Sequence, residues 1–452
     1  MRRLLALLIA CSCLFSKASA QSHAAGTPIP WYPYGLVRQV DYHSFYPALM
    51  LAHRFGNDFR KLPKNPVLKP TPGYWDSKDV ADPFVLVTAD SVLLFYDGDN
   101  HEGYHIGYAV RDAGGWFWEK RGQIIGGSGG EWDAYHQIAP VVLPGEPGRR
   151  LYYNGHFEDE ELGYRWGMAL QTGGGRWEYP RSAPLMELDT AAWDFAGQAY
   201  GDILYIPEMG KYRMWYTGFQ GPLAAIGLME SADGVHWQRV GEAPVLSLLP
   251  GVIAPEVIYN GERYRMFFVR LEVKNGRTRT AIYSAGSSDG LRWENIRPVL
   301  QPDQQWEGRR LMRPNLSYFE GRVWLYYCAG RGGRWKIGAA YTRAELAPRG
   351  IWRSPSLKAM GEAVEIRYAL PSGTRLHFRW IDPADGTAYP ADLTRMRTRL
   401  RRDVYRSVVS LPQTLTGRAV RIELILETED AHHSPVVYTL RWGLYPPVQD
   451  ER

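Results

Sequence analysis

The sequence predicts an all-β protein, in which a five-bladed β-propeller is followed by a C-terminal β-sandwich. Two observations lead to this fold class. The 452 residues include 17 Trp, 29 Tyr, 47 Gly and 31 Pro, and this aromatic, turn-rich composition favours strands over helices. In addition, a four-part phrase occurs five times with a period of about 58 residues, and periods of this size are typical of stacked or radial β units.

The N-terminal stretch MRRLLALLIACSCLFSKASAQ predicts export. Two arginines precede an apolar run, and residues 18–20 (ASA) form a small-x-small exit, which predicts a signal peptide at residues 1–20. In a minor alternative, residues 8–11 (LIAC) are a lipobox and Cys11 is lipidated. We therefore expect a secreted or periplasmic protein. Cleavage before Gln21 leaves Cys328 as the remaining cysteine, so no internal disulfide is expected. No later apolar stretch approaches the ~20 residues of a membrane helix, and no membrane span is expected.

The repeated phrase predicts the propeller at residues 65–352. A typical copy opens on a Trp-acid pair and a Pro-led apolar strand, as in WDSKDVADPFVLV (75–87) and WDAYHQIAPVVL (132–143). The fourth copy, GVIAPEVIY, lacks the Trp-acid start. An aromatic strand, a third strand and a Trp-started fourth strand follow. Four strands per repeat and five repeats indicate five blades.

The segments flanking the repeats are expected to pack on the propeller. Residues 21–64 are predicted to be an N-terminal extension. The segment NPVLKP (65–70) matches the fourth-strand exits of the repeats, so we expect it to run along the outer edge of the ring and help to close it. Residues 353–452 show alternating strands joined by Gly, Pro and Asp turns, which predicts an accessory β-sandwich.

Composition and motifs exclude several classes of function. The net charge is +5, but the acidic and basic residues are interspersed and no basic arm occurs, so a nucleic-acid partner is not expected. No Walker loop, Rossmann glycine pattern or zinc spacing is present, and no cofactor is predicted. Asp97, Asp99, His101 and Glu102 offer hard oxygens for a structural Ca²⁺, although Asp and Gly are also favoured in hairpin turns.

Ring symmetry predicts a site on the propeller axis, where the first strands of all blades converge. Aligning those strands places Asp82, Ala139, Asp202, Glu256 and Arg313 in one position. Carboxylates that share a cleft raise the pKa of at least one of them. Such a separation of pKa values supplies the general acid and base that glycoside cleavage uses.

The Asp-Pro opening in VADPFVL resembles that of glycoside hydrolase family 43 and its five-bladed relatives in families 32, 68 and 130. The turns SADGVHW (231–237) and SSDGLRW (287–293) are similar to turns of the same superfamily. The resemblance covers residues 65 to about 350. It implies that Asp82 is the catalytic base, that Asp202 orients the acid and tunes its pKa, and that Glu256 is the proton donor.

This sequence departs from the family 43 pattern in the register of two acids. The family glutamate comes two residues before the equivalent of Pro255, whereas Glu256 follows that proline. Asp202 is one residue late when WDFAGQAYGD is aligned from its Trp. A slip of one residue moves a strand side chain to the opposite face.

The resemblance implies a secreted glycoside hydrolase that cleaves furanosidic, arabinan-like or related glycans. One alternative is a phosphorylase or transglycosylase of the same fold, in which Arg309, Arg310 and Arg313 form a phosphate pocket. The other alternative is a carbohydrate-binding propeller without catalysis.

Further residues are candidates for substrate binding. Arg313 is expected to clamp substrate or to pair with an acid. His136 and His156 are expected near the rim of the second blade, and Asp97, on the loop after the second strand of the first blade, is a further candidate. Trp132 recurs in later copies of the phrase, so it either stacks on a sugar ring or packs between blades.

Overall fold

The computed structural model describes residues 27–29, 36–42, 44, 48–111, 117–144, 148–157, 163–173, 175–274 and 276–443. The predicted signal peptide and Cys11 lie outside the described residues. The described chain consists of β-strands with three short 3₁₀ turns, at Glu131–Asp133, Gln305–Glu307 and Gln413–Leu415. The all-β prediction is therefore confirmed. Within these residues no helix has the length and apolarity needed to cross a membrane.

Five four-stranded antiparallel sheets, I to V, follow one another along the chain. Sheet I contains Asp79–Val87, Val92–Asp99, Tyr104–Arg111 and Trp118–Gln123. Sheet II contains His136–Leu143, Arg150–His156, Arg165–Gln171 and Trp177–Glu178. Sheet III contains Gly197–Ile206, Lys211–Gln220, Leu223–Ser231 and Gln238–Arg239. Sheet IV contains Val252–Tyr259, Tyr264–Lys274, Arg277–Ser287 and Glu294–Leu300. Sheet V contains Leu311–Phe319, Arg322–Arg331, Arg334–Thr342 and, from the N-terminal segment, Arg60–Lys61.

The five sheets form a closed ring. The first strand of each sheet contacts the first strand of the next, and that of sheet V contacts that of sheet I. The N-terminal segment completes sheet V, because Arg60–Lys61 pairs with its third strand and Leu68 bridges to Ile337. Within the segment 65–70, Val67 and Leu68 lie beside the third strand of sheet V through hydrogen bonds with Ile337.

The Trp-acid pairs of the repeat pack within sheets I, II, III and V, the four sheets whose repeat carries the pair. Trp132 stacks on Tyr153 with ring centroids 6.0 Å apart, and the adjacent Asp133 accepts the Tyr153 hydroxyl at 2.7 Å. The same arrangement recurs at Trp75, Trp193 and Trp306 with Tyr96, Tyr216 and Tyr327. The recurrence of this pair in the sequence therefore follows from packing within the sheets.

Two further sheets contain the C-terminal residues together with N-terminal strands. Sheet VI contains Thr27–Pro28, Val40–Asp41, Leu49–Leu51, Ala363–Ala369, Arg397–Arg401, Val404–Ser410 and Val436–Gly443. Sheet VII contains Leu36–Arg38, Arg349–Arg353, Leu357–Lys358, Thr374–Ile381, Ala388–Ala391 and Ala419–Thr428. A two-stranded pair joins His53–Arg54 to Glu345–Leu346. One core, which includes Trp352, Trp380 and Trp442, lies between sheets VI and VII. Met50 and Tyr438 of sheet VI pack against Tyr318 of the ring, so sheet VI covers one face of the ring.

Candidate active site

A strained residue recurs in the first strand of all five sheets of the ring. The five residues have positive φ angles between 44° and 57°, and they are Asp82, Ala139, Tyr200, Ala254 and Arg313. Each lies where the pairing with the second strand shifts register. A positive φ is uncommon for residues other than glycine, so five such residues at matching places define equivalent positions around the ring. We call this set the axial position.

The axial position corrects the alignment made from the sequence. Asp82, Ala139 and Arg313 occupy it as predicted, but Asp202 and Glu256 do not. These two acids lie two residues further along, at the position of Phe84, Val141 and Asn315. The physical reason is that the bulge fixes the register: Tyr200 has the positive φ in sheet III, and Ala254 has it in sheet IV. The residue two before Pro255, where family 43 carries glutamate, is the buried Ile253.

Asp202 and Glu256 connect neighbouring sheets of the ring. Asp202 accepts the backbone N–H of Val257 in sheet IV at 2.8 Å. Glu256 accepts the N–H of Leu316 in sheet V at 2.7 Å. Asn315 continues the series, because its side-chain oxygen accepts the N–H of Val85 in sheet I at 2.8 Å. These side chains link sheet III to IV, IV to V and V to I.

Both connecting acids have raised pKa values. Burial raises the pKa of Asp202 to about 6. Burial, together with the nearby charge of Asp202, raises the pKa of Glu256 well above its ordinary value. Both acids line a cavity of about 330 Å³ between the ring and sheet VI, together with Tyr42 and Tyr438. Among the described residues, the wall of this cavity includes Asp202 and Glu256 but not Asp82.

Asp82 belongs to a separate cluster around Arg313. Burial raises the pKa of Asp82 while the Arg313 guanidinium opposes that rise. The Cys328 thiol donates to Asp82 Oδ1 at 3.5 Å. Arg313 donates to the carbonyls of Gly201 at 2.9 Å and Ala139 at 3.3 Å, so it reaches across the ring to sheets II and III. Arg313 thus supplies positive charge near Asp82 while also contacting the backbone of the ring.

Asp97 is the second acid of the Asp82 cluster. Burial and the charge of Asp82 raise the pKa of Asp97 well above its ordinary value. Asp97 Oδ1 accepts the N–H of Ala139 at 3.2 Å. In the same way, the Asn154 side-chain oxygen accepts the N–H of Tyr200, and the Thr217 hydroxyl accepts the N–H of Ala254. Asp97, Asn154 and Thr217 therefore occupy equivalent positions, from which each accepts the N–H of the axial residue in the next sheet. Asp97 is the acidic member of this set.

The two predicted histidines lie beside each other in sheet II. His136 and His156 are paired across the first two strands, and both are buried. His136 Nδ1 accepts the N–H of Tyr104 at 3.0 Å. His156 packs against Tyr164, with ring centroids 5.0 Å apart. Both rings are thus enclosed in aromatic packing, as Trp132 is.

Sequence reasoning missed Tyr200 and Asp79. Tyr200 has the axial position of sheet III, and no Asp-Pro or Ala-Pro pair marks it, because Gly201 follows. Asp79 begins the first strand of sheet I, three residues before Asp82, and accepts Tyr104 Oη at 3.0 Å and the Trp335 N–H at 2.6 Å. Burial raises the pKa of Asp79. Its only signal in the sequence was its place within the same Asp-rich stretch.

The residues proposed for Ca²⁺ have other contacts. Asp99 pairs with Lys78 at 2.5 Å and accepts the N–H of His101 at 2.6 Å. Glu102 accepts the side-chain amide of Asn100 at 3.0 Å. In the parts of the chain that the structure describes, no group of three or more His, Cys, Asp or Glu side chains is arranged to hold a metal ion.

The chain is similar in fold to solved structures of glycoside hydrolases. Three solved structures show this at low sequence identity. A glycoside hydrolase has a TM-score of 0.53 at 18% identity, covering 62% of this chain and 92% of that one. A glycosyl hydrolase from Bacteroides ovatus has a TM-score of 0.51 at 18% identity, covering 64% and 94%. A structure from the GH130 family of mannoside phosphorylases, which contains glycoside hydrolases that target β-1,2-mannosidic linkages, has the same values as the Bacteroides ovatus protein. Likeness at this identity shows the fold alone.

The chain is also similar in sequence to a protein whose function is uncharacterized. The uncharacterized protein Rv1502 of Mycobacterium tuberculosis is 27% identical over 221 residues, which cover 45% of this chain and 70% of that protein. No family model matches the chain.

Proposed function

We propose that the chain is a glycan-active enzyme in which the five sheets of the ring, completed by Arg60–Lys61, are the blades of a β-propeller, sheets VI and VII form an accessory β-sandwich, and Asp82 is the catalytic carboxylate. The observation that carries this proposal is the environment of Asp82. Asp82 lies at the axial position, where the Arg313 guanidinium opposes the rise of its pKa. Its carboxylate accepts no backbone N–H from a neighbouring sheet among the described residues, in contrast to those of Asp202 and Glu256.

The paired acids suggest how a glycosidic bond is broken. Cleavage needs one carboxylate to act as base or nucleophile and one carboxylic acid to protonate the leaving oxygen. Arg313 is the largest influence opposing protonation of Asp82, whereas the charge of Asp82 itself favours protonation of Asp97. We therefore assign Asp82 as the base and neutral Asp97 as the source of the proton. Asp97 also accepts a backbone N–H, from Ala139, and does so through Oδ1, whereas both carboxylate oxygens of Asp202 and of Glu256 accept hydrogen bonds. In this scheme Asp202 and Glu256 stabilise the ring.

Hydrolysis of furanosidic, arabinan-like or related glycans outside the cytoplasm is the reaction we propose. The phosphorylase alternative called for Arg309, Arg310 and Arg313 in one pocket. Arg313 lies on the axis, whereas Arg309 and Arg310 line a separate cavity whose wall does not include Arg313. The binding-only alternative is favoured by one observation, which is that Ile253 stands where family 43 has its acid.

The test compares wild type with Asp82→Asn and Asp97→Asn on furanosides and pyranosides, with and without phosphate. Asp82→Asn should lower turnover by about 10²–10⁴-fold. Asp97→Asn keeps an oxygen for the Ala139 N–H but cannot donate the proton. It should therefore lose much less activity on aryl glycosides, whose good leaving groups need no protonation, than on unactivated glycans. The matched control is Asp189→Asn, at an exposed acid that caps its own turn. Glycan binding without turnover, unchanged in Asp82→Asn, would rule out the enzyme.

A further inference from the structure

A second concave site lies at the rim of the ring, between sheets IV and V. Its volume is about 760 Å³, and its wall includes Arg309, Arg310, Arg331 and Trp335. The wall is formed by the segment that precedes sheet V and by the hairpin that joins the second and third strands of that sheet. We call this site the rim cavity. It contains three cationic side chains and no acidic one.

The arginines of the rim cavity are available to a ligand. All three are exposed, and no ion pair or side-chain hydrogen bond joins them to any residue that the structure describes. Nearby cations differ in this respect: Arg279 lies 3.2 Å from Glu272, and Lys61 lies 2.8 Å from Glu307. Three unpaired guanidinium groups in one concavity raise the local positive potential, and they attract anions.

The backbone that carries these arginines is fixed on both sides. Arg310 bridges to Thr280 of sheet IV, and Gly308 bridges to Gly330 of sheet V. The second bridge requires glycine, because a Cβ on Gly308 would lie 2.8 Å from the Gly330 carbonyl oxygen, at a φ of +62°. The positions from which Arg309 and Arg310 project are therefore set before a ligand arrives, which lowers the entropic cost of binding.

The rim cavity connects to the Asp82 side of the ring through Trp335. The N–H of Trp335 donates to Asp79 Oδ1 at 2.6 Å, and Asp79 precedes Asp82 by three residues in the same strand. The cavity wall includes none of Asp82, Asp97 and Arg313. The cavity wall thus contacts the strand that carries Asp82, but an anion held in the cavity is not at the reacting bond, which fits a group carried by the substrate better than an attacking phosphate.

We propose that the rim cavity binds the carboxylate of an acidic sugar unit, so that the substrate is an acidic glycan cleaved at a neighbouring linkage. This inference rests on the proposed glycan-active function and names its substrate class. Guanidinium groups match carboxylates with two parallel hydrogen bonds. Trp335 offers an aromatic face for a sugar ring, and the volume lies within the range of about 300–1,000 Å³ that is usual for ligand sites.

The test is calorimetric titration of the full chain carrying Asp82→Asn, so that binding is measured without turnover. The two probes are tetragalacturonate and its fully methyl-esterified form, which keeps the sugar chain and removes the charge. The charged probe should bind more tightly, and its binding should weaken between about 20 and 150 mM salt. Adding Arg309→Gln and Arg331→Gln together should weaken it by about tenfold or more, about 1.4 kcal/mol. Arg334→Gln, at an exposed arginine of the same hairpin outside the cavity, is the matched control.

Equal affinity for the two probes, or no effect of the double substitution, would overturn the proposal. So would an inorganic phosphate titration in which phosphate binds, depends on Arg309 and Arg331, and is not displaced by tetragalacturonate. A failure of the proposed catalysis can be distinguished from a failure of the proposed acidic subsite. If wild type turns over no glycan while charged-probe binding still depends on the two arginines, the acidic subsite stands and the enzyme does not.

Discussion

Asp202 accepts the backbone N–H of Val257 at 2.8 Å and thereby joins the first strands of sheets III and IV. Glu256 does the same one sheet later, with Leu316. Two acids that the sequence predicted to be catalytic are therefore at positions where they hold the ring together. Burying carboxylates at such positions is costly unless they are hydrogen-bonded, and these hydrogen bonds meet that requirement.

Substitutions at Glu256 separate a stabilising role from a catalytic one. Glu256→Gln keeps the oxygen that accepts the Leu316 N–H, so we expect near wild-type stability and turnover. Glu256→Ala removes the acceptor, and we expect the free energy of unfolding to fall by about 1–3 kcal/mol. Urea denaturation with activity assays measures both, with exposed Glu262→Gln as control. If Glu256→Gln is stable but turns over glycan about 10³-fold more slowly than wild type, Glu256 is a catalytic residue.

The raised pKa of Asp202 predicts a pH dependence of stability. Its pKa is about 6 in the folded protein, against about 4 in an unfolded chain. Between these values the folded state holds a proton that the unfolded state has released, so the contribution of Asp202 to the free energy of unfolding falls as pH rises from about 4 to about 6, and it is level above that. Below about pH 4 both states are protonated and the contribution is also level.

Asp202→Asn should remove this contribution while its amide oxygen still accepts the Val257 N–H. We therefore expect the variant to gain stability relative to wild type as pH rises from 4.5 to about 7. Urea denaturation at several pH values measures the difference, and Asp189→Asn should show none. A constant difference between wild type and Asp202→Asn across this range would contradict the raised pKa.

The sequence predicted the ring better than it predicted the site. The apolar strands are required for packing in all five sheets, and the Trp-acid pairs contribute to packing in four of them, so the period of the repeat is visible in the sequence. The axial position is set by a positive φ and a bulge, and these leave no fixed residue type: Asp, Ala, Tyr and Arg all occupy it. An alignment that matches acidic residues therefore places Asp202 and Glu256 at the axial position, although they lie two residues after it.

A better signal for the register was present in the prolines. Pro255 and Pro314 each follow an axial residue, so APEVIY and RPNLSYF place Glu256 and Asn315 together, one residue after proline. Pro83 then places Phe84, not Asp82, with them. Sheet III has Gly201 instead of proline, and only the backbone geometry shows that Tyr200 is its axial residue. The spacing of apolar residues in YHSFYPALMLAHRFG (42–56) predicts a short helix, but the described part of that segment forms strands in sheet VI and beside Glu345–Leu346.

Asn65 provides a test of ring closure, because one side chain makes three hydrogen bonds to sheet V. Its amide donates to the Ala339 carbonyl at 3.0 Å and to Tyr327 Oη at 3.1 Å, and its oxygen accepts the Ala339 N–H at 2.9 Å. Asn65→Ala leaves the Ala339 N–H without its acceptor, while the Ala339 carbonyl still accepts the Leu62 N–H, so we expect the free energy of unfolding to fall by about 1–3 kcal/mol. Amide hydrogen exchange should quicken at Ala339 first, because the N-terminal strand no longer covers it. Lys64→Ala, at the exposed neighbour, is the matched control. Equal exchange rates at Ala339 in the two variants would show that Asn65 does not hold the ring closed.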